Sequence, residues 1–164
     1  MSIYGTSGAD VLYGTSNNDI SIFALGGDDI VYGFNGNDII DAGEGDDTVY
    51  GGNGNDTILG RNGNDTIYGN HDNDSIWGEG GNDTLYGDDG DDHVFGGAGD
   101  DKVVGGNGND KLYGGLGDDR LLGVKSRNAI EIDELTGGGG KDTFLVGDYH
   151  GNFYNNGGNS DYAL

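Results

Sequence analysis

Aspartate recurs at every ninth residue, at Asp29, Asp38, Asp47, Asp56, Asp65, Asp74, Asp83, Asp92, Asp101, Asp110 and Asp119. Asp10, Asp19 and Asp142 hold the same place in similar surroundings outside that run. The unit around each is clearest as Gly51-Gly52-Asn53-Gly54-Asn55-Asp56-Thr57-Ile58-Leu59. Every turn therefore brings one carboxylate and several glycine carbonyls that cannot pair within so tight a bend, and the chain has no cysteine. Oxygen donors in roughly sixfold or higher number select Ca²⁺, while Mg²⁺ is disfavoured by its stricter octahedral geometry and slow dehydration.

The elements that must hold these donors follow from the period. A self-similar repeat stacks as a solenoid in which each unit buries its apolar side against neighbours. Counting Gly51 as position one, positions seven to nine suit a three-residue strand with side chains out, in, out. The inward row reads Leu12, Val31, Ile40, Val49, Ile58, Ile67, Ile76, Leu85, Val94, Val103, Leu112, Leu121 and Phe144, with Ser21 its exception and Phe23 a one-residue insertion. Two units make one coil, so units two apart stack as parallel strands about 4.8 Å apart. The expected fold is all-β, a right-handed parallel β-roll of about seven coils.

Glycine has its own cause. Reversing the chain in six residues calls for positive φ, which glycine accepts readily. Position four is glycine at Gly27, Gly36, Gly45, Gly54, Gly63, Gly81, Gly90, Gly99, Gly108 and Gly117, with Asn17 and Asp72 as substitutes. The absence of proline fits a ladder that needs every strand amide. The array runs over residues 1–122; 123–136 reads as an irregular insertion without a glycine turn, and 137–164 as a final unit with a capping tail.

Such a roll has a thin interior. One aliphatic residue per nine is its core, glycine loses more conformational freedom on folding than other residues, and the formal charge is −23. Low hydrophobicity with high net charge is the signature of a disordered chain, so a cation must bind for this one to fold. Turns from units two apart bring Asp29 near Asp47 and Asp38 near Asp56, closing half-sites around roughly eight ions, with about twelve as a ceiling. Only seven basic residues are present, which excludes nucleic acid as a partner. Met1 to Leu12 lacks the basic start and apolar run of a signal peptide, so neither an N-terminal signal nor a membrane span is expected.

The unit Gly-Gly-x-Gly-x-Asp-x-aliphatic-x resembles the nonapeptide of the RTX (repeats-in-toxin) family, over about four fifths of the chain. The resemblance implies a β-roll that folds on Ca²⁺, a secreted protein and export through a type I secretion apparatus. It assigns metal binding to the fourteen phased aspartates, and the turn-glycine role to Gly52, Gly54, Gly97, Gly99, Gly106, Gly108 and equivalents such as Gly115. Thr6, Thr15, Asn17, Leu25, Arg61, Asn70 and Asp72 depart from the pattern. Enzymatic family members carry their activity in separate domains; here the array begins at Gly5, so the chain is expected to be non-enzymatic.

No other constellation competes. His71, His93 and His150 have no nucleophile in phase, and pairs such as Asp46-Asp47 are positions five and six of a turn. Position nine places Tyr13, Tyr32, Tyr50, Tyr68 and Tyr86 on one outer face, with Ile22, Asp41, Leu59, Trp77, Phe95 and Tyr113 on the other. The tyrosines read either as cross-strand pairing that steadies a thin sheet or as a stripe for a glycan or protein partner. Two further readings stay open: the repeat module of a longer secreted protease or lipase, and an adhesin or ice binder. The irregular position three (Asn53, Asn62, His71, Gly80, Asp89) argues against ice.

Overall fold

The structure, a computed structural model, describes residues 2–18, 21–123, 131–146 and 162–163. The strands begin with β1 (Ile3–Tyr4), β2 (Val11–Tyr13), β3 (Ile22–Phe23), β4 (Ile30–Asn35), β5 (Ile39–Glu44) and β6 (Thr48–Asn53). They continue with β7 (Thr57–Asn62), β8 (Thr66–His71), β9 (Ser75–Gly80), β10 (Thr84–Asp89), β11 (His93–Ala98) and β12 (Lys102–Asn107). The last are β13 (Lys111–Leu116), β14 (Arg120–Gly123), β15 (Glu134–Gly139), β16 (Thr143–Val146) and β17 (Tyr162–Ala163). Odd-numbered strands β1 to β15 form one parallel sheet in chain order. The even strands β2 to β16, with β17 added beyond β16, form the other. The chain crosses from sheet to sheet once per unit, which makes a β-solenoid of two nonapeptides per coil.

The central register is the one the period predicts. Val49 pairs with Ile67, Ile67 with Leu85 and Leu85 with Val103, each a position-eight residue on its neighbour two units away. From Val31 to Leu121 these side chains have no solvent exposure, and Phe144 closes the row at 7%. Between the sheets, one aliphatic side chain per strand is the entire apolar filling, widened at the first coils by Ala24 and Ala42.

Three features differ from the sequence-based expectation. Strands are six residues long in the array rather than three, because Thr57–Asn62 and its equivalents carry the ladder on through positions one to three. The extra residue of the second coil does not fall at Phe23. Ile22 is fully buried against Ile3 and Ile40, while Phe23 lies opposite Asp41, so Ile22 takes the inward place given to Ser21 and Phe23 the outward place given to Ile22. Asn18 still pairs in register with Asn37, which puts the addition between Asn18 and Ser21. Asp19 falls there, outside the described residues.

The stretch 123–136 rejoins the roll at its end. Glu134-Leu135-Thr136 pair with Lys111-Leu112-Tyr113, and Leu135 is 9% exposed. The aspartate of this unit is Asp133, whose carboxylate accepts from the Asp110 N–H across 23 residues instead of 18. Five residues more than in the other coils thus precede Asp133, and the stack continues through β15. At the other end, Ile3-Tyr4 add a half-coil before Gly5.

Ile67 has no exposure, whereas Thr66 beside it faces outward and is partly exposed. Truncating Ile67→Ala in the metal-loaded protein is expected to cost about 2–4 kcal/mol in denaturant unfolding. Thr66→Lys should change stability by less than about 0.5 kcal/mol, and comparable losses at both positions would contradict the in/out phase.

Candidate metal centre

Each turn carries its aspartate inward. Asp29, Asp38, Asp47, Asp56, Asp65, Asp74, Asp83, Asp92, Asp101, Asp110, Asp119 and Asp142 are at most 2% exposed. One carboxylate oxygen of each is engaged: the backbone N–H of Asp29 donates to Asp47 Oδ1 at 2.8 Å, that of Asp47 to Asp65 at 2.9 Å, and that of Asp65 to Asp83 at 2.8 Å. On the opposite edge the same bond links Asp38 to Asp56, Asp56 to Asp74 and Asp74 to Asp92. The other oxygen, Oδ2, of Asp29, Asp47, Asp56, Asp65, Asp74, Asp83, Asp92, Asp101, Asp110 and Asp119 is buried and accepts no hydrogen bond. A buried carboxylate oxygen left without a donor costs considerably more than an ordinary missing hydrogen bond, and a cation removes that cost.

Position one shows where the second donor lies. A Cβ placed on Gly51 would sit 2.6 Å from Asp56 Oδ2 and 2.7 Å from the carbonyl oxygen of Gly69, one coil on. At Gly60, Gly69, Gly78 and Gly87 an added Cβ would likewise meet Oδ2 of the unit's own aspartate and the next coil's glycine carbonyl. Carboxylate and carbonyl thus converge on one spot that any side chain would fill. Among the described residues no three carboxylate, imidazole or thiol groups gather at one point, so main-chain oxygens must complete each donor set. An all-oxygen set of carboxylates and carbonyls fits a hard divalent cation and offers nothing to a thiophilic one.

From Leu25 on, the turn conformation is kept even where the residue type departs, whereas Thr6, Thr15 and Asn17 do not adopt positive φ. Gly52 and Gly54 have φ of 121° and 113°, and Gly27, Gly36, Gly45, Gly63, Gly81, Gly90, Gly97, Gly99, Gly106, Gly108, Gly115 and Gly117 are likewise positive. Leu25, Phe34, Arg61, Asn70, Asp72, Glu79 and Asp88 adopt φ between 73° and 85° at equivalent positions. Their side chains turn outward. Arg61 reaches Asp41 Oδ2 at 2.8 Å and Glu79 Oε1 at 3.3 Å, leaving the turn interior free.

Asp10 behaves differently from its equivalents, since its Oδ2 accepts from the Thr6 N–H at 2.6 Å and the Thr6 hydroxyl at 2.8 Å. A departure at position two has here supplied the donors that other turns lack.

Two roles escape a reading confined to position six. Position five builds a second ladder of opposite sense, in which the later amide donates to the earlier side chain: Asn55 N–H to Asn37 Oδ1 at 3.0 Å, and Asn73 N–H to Asn55 Oδ1 at 3.1 Å. Asn64, Asn82 and Asp100 continue the series on the other edge. The signal was visible, because position five is Asn or Asp in every contiguous unit from Asp28 to Asp118. Asp133 was hidden because it lies 23 residues, not 18, from Asp110.

A family profile for the RTX calcium-binding nonapeptide repeat matches the chain in four copies, over residues 2–20, 21–49, 50–85 and 86–121. The chain belongs to the RTX calcium-binding nonapeptide repeat family. No curated protein matches it. The RTX repeats so defined stop at residue 121, while the solenoid continues through Asp133, Asp142 and β17. Among the described residues no helix is long and apolar enough to cross a membrane.

Burial is the largest influence on the RTX aspartates, and it raises their pKa against the opposing pull of the backbone N–H each accepts. Asp47, Asp83, Asp92 and Asp119 are pushed from 3.8 to about 6, Asp56, Asp65, Asp101 and Asp110 to about 7, and Asp74 to about 8. The metal-free folded chain therefore holds protons that the unfolded chain, with its aspartates near 3.8, has lost. Its stability is greatest below pH 4 and falls as pH rises through about 6 to 8. In chelator, circular dichroism should show more β-structure at pH 5 than at pH 8; equal content would contradict this linkage.

Proposed function

We propose that the protein is a secreted, non-enzymatic calcium-binding β-roll that folds when Ca²⁺ reaches it. The observation that carries this reading is the row of buried Oδ2 atoms without a hydrogen-bond donor. Those of Asp56, Asp65, Asp74, Asp83, Asp92, Asp101 and Asp119 are aimed at a spot shared with a carbonyl of the next coil, and the folded chain concentrates a formal charge of −23. Metal ions held between coils would act as staples, and their binding free energy would be folding free energy. Asp29 to Asp119, with Asp142, are the ligands this reading assigns, and about eight ions, at most about twelve, is the expected load. Export follows from the same physics: extracellular calcium is millimolar, enough for modest sites that would stay empty and unfolded in the cytosol. A type I apparatus, which passes unfolded chains, is the route the family suggests.

A second reading makes the array one module packed against further protein, and the first coils favour it. Among the described residues, seven of the nine exposed large hydrophobics, Tyr4, Val11, Tyr13, Leu25, Ile30, Phe34 and Ile39, lie there. Position seven is apolar in Val11, Ile30 and Ile39 where later units have Thr48, Thr57 and Thr66.

The tyrosine column supports a protein partner over a glycan. Tyr32, Tyr50, Tyr68 and Tyr86 stack at 4.9–5.0 Å with their planes within 5°. Their faces are turned on one another, leaving only edges for a sugar.

The switch is checked by circular dichroism with and without calcium at pH 7.5. Coil is expected in chelator and β-structure on adding Ca²⁺, and a chain already β-rich in excess chelator would refute it. Asp65→Asn should raise the calcium midpoint of folding severalfold by weakening the two sites it borders, whereas an unchanged midpoint would remove Asp65 from the ligand set.

A further inference from the structure

The outer face of the even-numbered sheet holds a groove of about 710 Å³ that the calcium sites do not use. It is lined by position-two, position-three and position-nine residues of β4, β6, β8, β10 and β12. Its two ends differ in chemistry. At one, Phe34 is 46% exposed, with its ring stacked 6.2 Å from both Tyr13 and Tyr32. At the other stand Asp88 and Asp89. Between them Gly52 contributes no side chain, which opens the floor, and the edge of Tyr50 forms the wall.

The acidic end is built with one imidazole, His71, as its basic neighbour. Asp88 accepts from Asn70 Nδ2 at 3.3 Å, while Asp89 accepts from Asn107 Nδ2 at 2.6 Å and faces His71 Nδ1 at 3.1 Å. No lysine or arginine lines the groove. Next to it the chain seats a cation of its own on the same tyrosine column: Lys102 Nζ lies 4.7 Å over the Tyr86 ring and donates to its hydroxyl at 2.7 Å. The sheet face thus already accepts an ammonium against its aromatic edge where one is available.

We infer that this groove docks an extended segment of a partner protein that carries an apolar side chain at one end and an arginine or lysine at the other. Phe34 and Asp88 are three strands apart, roughly 14 Å at about 4.8 Å per strand, which an extended peptide covers in about four residues. The apolar side chain packs beside Phe34 and Tyr32, and the cation meets Asp88 and Asp89. Bound calcium cancels much of the formal −23, and the negative charge that remains attracts such a segment with a pairing that weakens with salt. A glycan is disfavoured because the ring faces it would stack on are taken.

The inference rests on the calcium-folded roll, so the test begins by confirming β-structure in calcium for every variant; a chain that fails to fold there refutes the calcium reading. Fluorescence anisotropy then follows a labelled, capped peptide of phenylalanine, three serines and arginine. Binding is expected in low salt, weakened about tenfold by Asp88→Asn with Asp89→Asn and similarly by Phe34→Asn, which keeps a residue type suited to positive φ. A peptide with glutamate in place of arginine should not bind. Spermine should compete weakly. Absence of peptide binding to the folded chain, equal binding by the glutamate peptide, or full competition by spermine with no effect of Phe34→Asn would each overturn the proposal.

Discussion

A row of buried carboxylates, at Asp29 and from Asp47 to Asp119, each with one oxygen bonded to a neighbouring amide and the other without a hydrogen-bond donor, is the constraint from which the rest of this molecule follows. In an ordinary interior such a group would be replaced by something apolar or paired with a basic side chain. This chain repeats it coil after coil and supplies almost no basic residues. The arrangement makes sense only if the missing charge arrives from outside. Glycine at position one is part of the same device, because it clears the space where Asp56 Oδ2 and the Gly69 carbonyl approach one another.

Stacking turns local geometry into cooperativity. Each position-six carboxylate receives an amide from the coil before it, and each position-five side chain receives one from the coil after it. The two ladders run in opposite senses along the same edge, so a coil is held by side chains from both neighbours. Because the core offers a single aliphatic residue per strand, no coil is stable alone, and order spreads from neighbour to neighbour as in other linear repeat arrays. The aromatic columns add to this on the outside, where Trp77, Phe95 and Tyr113 mirror the tyrosines of the opposite sheet. At Asp41 the column is broken by a charge, and Arg61 and Glu79 close it with an ion pair instead.

Much of this was legible because the repeat imposes one register on every unit. The inward row from Val31 to Leu121, the parallel pairing of units two apart and the positive φ of Gly54 follow from period and residue type alone. Legibility failed where the period slipped. Between Asn18 and Ser21 one added residue shifts the phase by one, and side-chain alternation then exchanges inside for outside, which misplaces Ile22 and Phe23. At Asp133 the separation from the equivalent aspartate is 23 residues instead of 18, so spacing no longer points to it. Position five was in plain view, but its Asn and Asp side chains serve the backbone of the next coil, and only the stacked structure shows which amide they meet. Asp10 shows the limit of residue type itself: the same aspartate, given Thr6 at position two, finds its own donors.

The central claim is that many ions, shared between coils, neutralise the buried row. Native mass spectrometry of the folded protein in calcium measures their number per chain directly. Several bound ions, lost together with the compact charge-state distribution when chelator is added, is the result expected. A compact, β-rich chain carrying one ion or none would show that the buried oxygens are accommodated in some other way, and would contradict the account at its root.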